Sequence, residues 1–259
     1  MIVFGAIAPH GGLVLEGESP TRTALEELGR RHAACAPDVT VVLTPHNVHV
    51  QGAFAVVTAA TIAGQLEGSD ASLSCPVDHG LAQAVIEALH EVGPAMGVSF
   101  GSNFPELAEM PMDWGTLVPL WFMGGRADPP VPVVVVSPAR EFSFEAHVRA
   151  GNAIAAATGD RRVALIASAD HGHAHDEDGP FGFHVAAAEY DARMVELVRE
   201  NKLGEAIALG TIVDVAKADS LWQVLMLHGA LGNGFDALLH SYEVPTYFGM
   251  LCAAFEPRG

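Results

Sequence analysis

The chain has 259 residues, 50% of them hydrophobic and 17% charged, and a formal net charge of −18. Its apolar content suits a folded core, while its acidity repels phosphate backbones and anionic lipid, which argues against nucleic-acid and membrane-surface partners. No run approaches the ~20 apolar residues of a membrane helix. Cys35, Cys75 and Cys252 are too few and too scattered for a disulfide framework or a cysteine zinc site, so a reducing cytoplasm is the expected setting.

The apolar start, residues 2–8, has no basic residue ahead of it and runs into Pro9-His10-Gly11, the pattern of a first strand and not of a targeting segment. Ser19 can cap a helix running to residue 34, and residues 39–43 are a second strand entering Thr44-Pro45-His46. Residues 52–59 alternate as a strand does, and Asp78 opens a helix bearing Leu81, Val85, Ile86 and Leu89 at helical spacing. Residues 104–112 are proline-rich and irregular, and Asp113-Trp114-Gly115 is a turn feeding a short buried helix. A strand at 132–137, an alanine-rich helix at 144–158 and a strand at 163–167 follow. Helices are expected at 185–200, 203–209 and 215–231, and one or two strands over 242–244 and 247–255. Alternating strands and helices predict an α/β fold: a single domain over 1–259 with a mixed, largely parallel central sheet flanked by helices on both faces. No glycine-rich dinucleotide or nucleoside triphosphate motif follows any strand.

Histidines cluster where apolar strands end, the place where open α/β sheets gather ligands. His10 and His46 each follow a proline at a strand exit, and Asp170, His171, His173 and His175 follow the strand at 163–167. A proline fixes the backbone ahead of the ring, and two such pairs point to two ligands of one metal. Two imidazoles and a carboxylate with open positions suit non-haem Fe(II). Spacing does not choose the carboxylate: Glu16, Glu18, Asp170 and Glu243 all lie near strand ends.

The segments A-P-H-G-G, T-P-H-N-V-H, D-W-G-T-L-V-P-L, I-A-S-A-D-H-G-H and Y-E-V-P-T-Y-F-G-M occur in this order across nearly the whole chain. In that order and spacing the sequence resembles the class III extradiol ring-cleavage dioxygenases of the LigB type, the catalytic subunit of the protocatechuate 4,5-dioxygenase superfamily. The resemblance implies His10, His46 and Glu243 as Fe(II) ligands and His173 as the acid/base histidine. Many relatives carry a substrate-associated histidine where this chain has Trp114, and Trp114, His171, His175 and His49 are the candidates for substrate contact. The implied reaction joins dioxygen to a catechol-like ring to give a ring-opened semialdehyde, with His173 taking the hydroxyl proton. Two alternatives remain: a Zn(II) or Mn(II) hydrolase with His173 as base, and a Memo-like non-catalytic metal-binding or scaffold protein. The sequence leaves open a homo-oligomer or a second subunit.

Overall fold

The computed structural model describes residues 1–258, so Gly259, the last residue of the expected domain, lies outside the described residues. In chain order the elements are β1 (Ile2–Ala8), α1 (Pro20–Ala34), β2 (Val39–Leu43), β3 (Phe54–Val57), β4 (Thr61–Gln65), β5 (Ser72–Pro76), α2 (His79–Leu89), β6 (Ala95–Val98) and β7 (Glu109–Pro111). They continue with α3 (Trp114–Phe122), β8 (Val133–Ser137), α4 (Phe144–Ala157), β9 (Val163–Ser168), α5 (Val185–Arg199), α6 (Val213–Ala216), α7 (Leu221–Leu231), β10 (Phe235–Glu243) and β11 (Met250–Pro257). Among the described residues no helix is long and apolar enough to cross a membrane.

Eight strands form one sheet in the order β10-β11-β1-β9-β2-β8-β3-β6. Its centre, β1-β9-β2-β8, is parallel, and these strands read as unbroken runs of Val, Ala, Ile and Leu because both of their faces are covered. The antiparallel pairs lie toward the margins, where β11 joins β1 and β10, and β3 joins β8. Helices α1 and α3 pack together on the sheet, while α2, α4 and α7 form a separate packed group. The crossing of α4 and α7 is close enough that a Cβ on Gly151 would lie 1.9 Å from the Met226 carbonyl oxygen.

Parallel pairing puts the carboxyl ends of β1, β2, β8 and β9 on one edge of the sheet, so the exits bearing His10, His46, Arg140 and Asp170 open toward the same side. A second, three-stranded sheet, β5-β4-β7, lies outside the sequence expectations. Its strands are three to five residues long, too short for periodicity to stand out, and β7 with a 3-10 turn at Pro105–Leu107 occupies the segment expected to be irregular. The expected helix over 215–231 is two helices. Lys217 adopts a left-handed conformation (φ 56°, ψ 30°) that ends α6, and α7 begins at Leu221. The break between them carries Asp219.

Candidate metal centre

His10 is held from both sides of its ring. Its backbone N–H donates to Asp170 Oδ1 at 3.0 Å, and its Nδ1 lies 2.9 Å from Ser168 Oγ. The Ser168 hydroxyl donates to the Gly115 carbonyl oxygen at 2.5 Å, so it can only accept from the imidazole. Neutral His10 therefore carries its proton on Nδ1 and aims the lone pair of Nε2 into the site, the arrangement that second partners impose on metal-binding histidines.

His46 enters through a different network. Asp113 caps α3 by accepting from Thr116 N at 2.9 Å and Thr116 Oγ1 at 2.7 Å, and it also accepts from Thr44 Oγ1 at 2.9 Å and Asn47 Nδ2 at 3.0 Å. One carboxylate thus ties the start of α3 to both sides of His46. The His46 Nε2 then lies 2.9 Å from that of His10.

The third group is Asp219. Its Oδ2 is 3.3 Å from His46 Nε2 and 3.5 Å from His10 Nε2, and one donor atom from each of the three residues lies within 4.8 Å of the others. Asp170 Oδ2 approaches His10 Nε2 at 3.4 Å. Burial works against a charge on His10, yet Asp170, then Asp219 and Asp113, outweigh it and raise its pKa to about 9. Burial likewise opposes ionisation of Asp219, but its contacts with His10 and His46 hold it below the usual carboxylate range, whereas burial pushes Asp170 up. Two imidazole nitrogens and two carboxylates facing one buried point could hold a metal ion, which would take the place of the His10 proton. Asp219 Oδ1 is buried without a hydrogen-bond partner among the described residues. Donor set and unsatisfied oxygen fit a divalent first-row metal.

Glu243, expected beside His10 and His46, is not part of this cluster. It ends β10, and its Oε1 accepts from Thr21 N at 2.9 Å and Thr21 Oγ1 at 2.5 Å, satisfying a free N–H in the first turn of α1. The carboxylate beside His10 and His46 comes instead from the α6–α7 break, which an uninterrupted helix over 215–231 conceals. The signal in the sequence was Asp219-Ser220 ahead of an apolar run, a helix-start pair in the middle of what looked continuous.

The remaining expected residues divide. His173 lines a cleft of about 1370 Å³ together with His10, His46 and Asp219. Its ring stacks on Phe248 at 5.3 Å and 23° and meets the edge of Phe181 at 5.7 Å, and its Nδ1 has no partner among the described residues. Trp114, 49% exposed, forms a wall of the cleft with its ring 4.5 Å from that of His46. His49 stands at the cleft margin paired with Glu141 at 3.0 Å. His171 and His175 do not line it. His171 is fully buried, which lowers its pKa, and its Nδ1 lies 3.0 Å from Ser220 Oγ, which in turn meets the Tyr190 hydroxyl at 2.9 Å. This buried chain fixes the residue next to Asp219. His175 Nε2 lies 2.9 Å from Asp191 Oδ2, and the same carboxylate accepts from Gly172 N at 2.7 Å and the Tyr242 hydroxyl at 2.8 Å. A Cβ at Gly249 would fall 1.9 Å from Asp191 Oδ2, so only glycine fits there.

Residues 8–254 match the sequence model of the family described as the catalytic LigB subunit of aromatic ring-opening dioxygenase. The chain belongs to the LigB family. It is 20% identical over 241 residues to Protein CA_C1420 of Clostridium acetobutylicum, an alignment that covers 86% of this chain and 49% of that protein. The chain thus spans about half the length of that relative. The LigB fold is shared with the crystal structure of uncharacterized protein JW3007 from Escherichia coli K12: TM-score 0.67 at 18% identity, over 97% of this chain and 99% of that one.

Proposed function

We propose that the protein is a non-haem Fe(II) extradiol dioxygenase that opens a catechol-type aromatic ring, with His10, His46 and Asp219 holding the metal. The observation that carries this reading is the convergence of two imidazole Nε2 atoms and one buried carboxylate on the floor of a cleft, within a chain of the LigB family. When bound there, ferrous iron supplies Lewis acidity toward a diol and redox chemistry toward dioxygen. The chain supplies the rest. Ser168 and Asp170 set the His10 ring, and Asp113 sets the loop of His46. Trp114 offers a flat apolar face to an aromatic ring. Phe248 stacks on the His173 imidazole and Phe181 meets it edge-on, orienting the ring in the cleft, and His173 accepts a substrate hydroxyl proton and returns it to the product.

Anaerobic purification, metal quantification and oxygen uptake with a panel of catechols test the proposal, with electron paramagnetic resonance of the nitric oxide adduct reporting whether the diol reaches the metal. Stoichiometric iron and catechol-dependent oxygen uptake are expected. An iron-loaded protein that consumes no oxygen with any catechol overturns it, and zinc at full occupancy with hydrolytic activity would reassign the same residues to a metal-activated water.

A further inference from the structure

His173 lacks what orients His10. The ring of His10 is set by Ser168 through its second nitrogen, whereas His173 Nδ1 has no partner among the described residues. A proton-transferring imidazole is ordinarily aimed by a hydrogen bond at its other nitrogen. For His173 the aim comes instead from the backbone that carries the ring and from the aromatic face it lies against, that of Phe248 at 5.3 Å and 23°. The His173 N–H is itself fixed, donating to the Ala216 carbonyl oxygen at 2.9 Å.

Both supports lead to one side chain. Asp191, on α5, is 1% exposed and does not line the cleft, so it is out of reach of a substrate there. Its Oδ1 accepts at 2.7 Å from the N–H of Gly172, the residue before His173, and its Oδ2 accepts at 2.9 Å from His175, two residues after it. The same Oδ2 accepts from the Tyr242 hydroxyl at 2.8 Å and leaves no room for a Cβ on Gly249, the residue after Phe248. A Cβ on Gly172 would lie 2.9 Å from Ala187 Cα, so the His173 loop is pressed onto the helix that carries Asp191. One carboxylate thus sets the loop of His173 and the turn of Phe248 against each other. Three donors on two oxygens suit a carboxylate and not an amide, whose nitrogen is itself a donor. Among the described residues the only ion partner of this buried charge is His175, so its burial is offset by hydrogen bonds that all come from the elements around His173.

We infer that Asp191 is a positioning residue for His173, fixing through Gly172, His175 and the Phe248 turn the direction in which the imidazole faces the cleft. That His173 moves a proton rests on the ring-cleavage reading; that Asp191 sets its place does not.

The test pairs a readout of position with one of rate. Position is read on the full chain without paramagnetic iron, from the nuclear magnetic resonance of the His173 ring, assigned by its absence in His173→Gln and displaced by the ring current of Phe248. Rate is read as kcat and KM on the iron-loaded protein, with the catechol it turns over fastest. Asp191→Asn should move the His173 resonance toward its place in the unfolded chain and lower kcat by about 10²-fold, the scale of an ångström of misplacement. KM and iron stoichiometry should stay as in the wild type, and the same substitution should add nothing to the loss in His173→Gln, since the two residues act as a unit. Tyr242→Phe removes one donor and keeps the carboxylate; it should move the resonance less and lower kcat about two- to tenfold, and it decides the matter if Asp191→Asn does not fold. An unmoved resonance overturns the inference whatever happens to kcat or Tm, and so does unchanged kcat in an active enzyme, loss of iron, or additive losses in the double variant. If the wild type turns over no catechol while the resonance still moves, the positioning role stands and ring cleavage falls.

Discussion

Two substitutions separate the carboxylate beside the histidines from the one that caps a helix. Asp219→Asn keeps the shape of the side chain but removes the charge that faces His10 and His46 at 3.5 and 3.3 Å. Losing an outer partner of a metal ligand costs ~10–100-fold in affinity, so losing a ligand should cost more than that. Glu243→Ala acts elsewhere. It strips the acceptor from Thr21 N and Thr21 Oγ1, and Thr21 is fully buried. A hydrogen bond to a charged group is worth about 1.5–3 kcal/mol, and in a protein of this size each kcal/mol moves Tm by about 2–4 °C, so a fall of about 3–12 °C is expected. Anaerobic Fe(II) titration and scanning calorimetry on both variants read the two effects: Asp219→Asn loses metal, Glu243→Ala loses Tm and keeps it. Wild-type metal affinity in Asp219→Asn, or metal loss in Glu243→Ala without a change in Tm, refutes the assignment.

Three further outcomes are expected. His173→Gln should lower kcat by about 10²–10⁴-fold while iron remains bound, measured by oxygen uptake and metal analysis; loss of the metal would make His173 a ligand. Ser168→Ala leaves His10 Nδ1–H without an acceptor in a fully buried position, and should cost about 1–3 kcal/mol in chemical denaturation and weaken metal affinity about 10–100-fold. In the chelator-treated protein the pKa of His10 is raised to about 9, against an unfolded value near 6.5. The stabilisation from its imidazolium is therefore complete below about pH 6.5 and is lost as pH rises toward 9. Thermal melts from pH 6 to 9.5 should show Tm falling over that window in the wild type and much less in His10→Asn, and metal affinity rising over the same window because the metal displaces that proton.

Much of the fold was legible because the central strands are unbroken apolar runs and the helices carry strong caps: Ser19, Asp78, Asp113 and Ser143 each accept an N–H in the first turn of a helix. The strand exits could be read for the same reason, and they brought His10, His46 and His173 into view. The small β5-β4-β7 sheet could not be read so, since its pairings join residues up to 48 positions apart in strands too short to show a period. Asp219 escaped because its surroundings, Val213 to Leu231, are apolar enough to imitate one helix, and the interruption lies in a single backbone conformation at a lysine, a residue with no particular preference for it. Of the four residues named for substrate contact, Trp114 and His49 line the cleft, whereas His171 and His175 lie outside it and hold the loop together.

That loop is laced to the turn between β10 and β11: His171 N donates to Gly249 O at 2.8 Å, Gly249 N to Gly172 O at 3.0 Å, and His175 N to Tyr247 O at 3.3 Å, with Asp191 fastening both. His173 and the aromatic lip of the cleft, Tyr247 and Phe248, are therefore one hydrogen-bonded part. A sequence change that reshapes the lip for a different guest also re-aims His173, whereas the part of the cleft wall supplied by the β4–β5 turn, Gln65 to Glu67, belongs to the separate three-stranded sheet and shares no hydrogen bond with the His173 loop among the described residues.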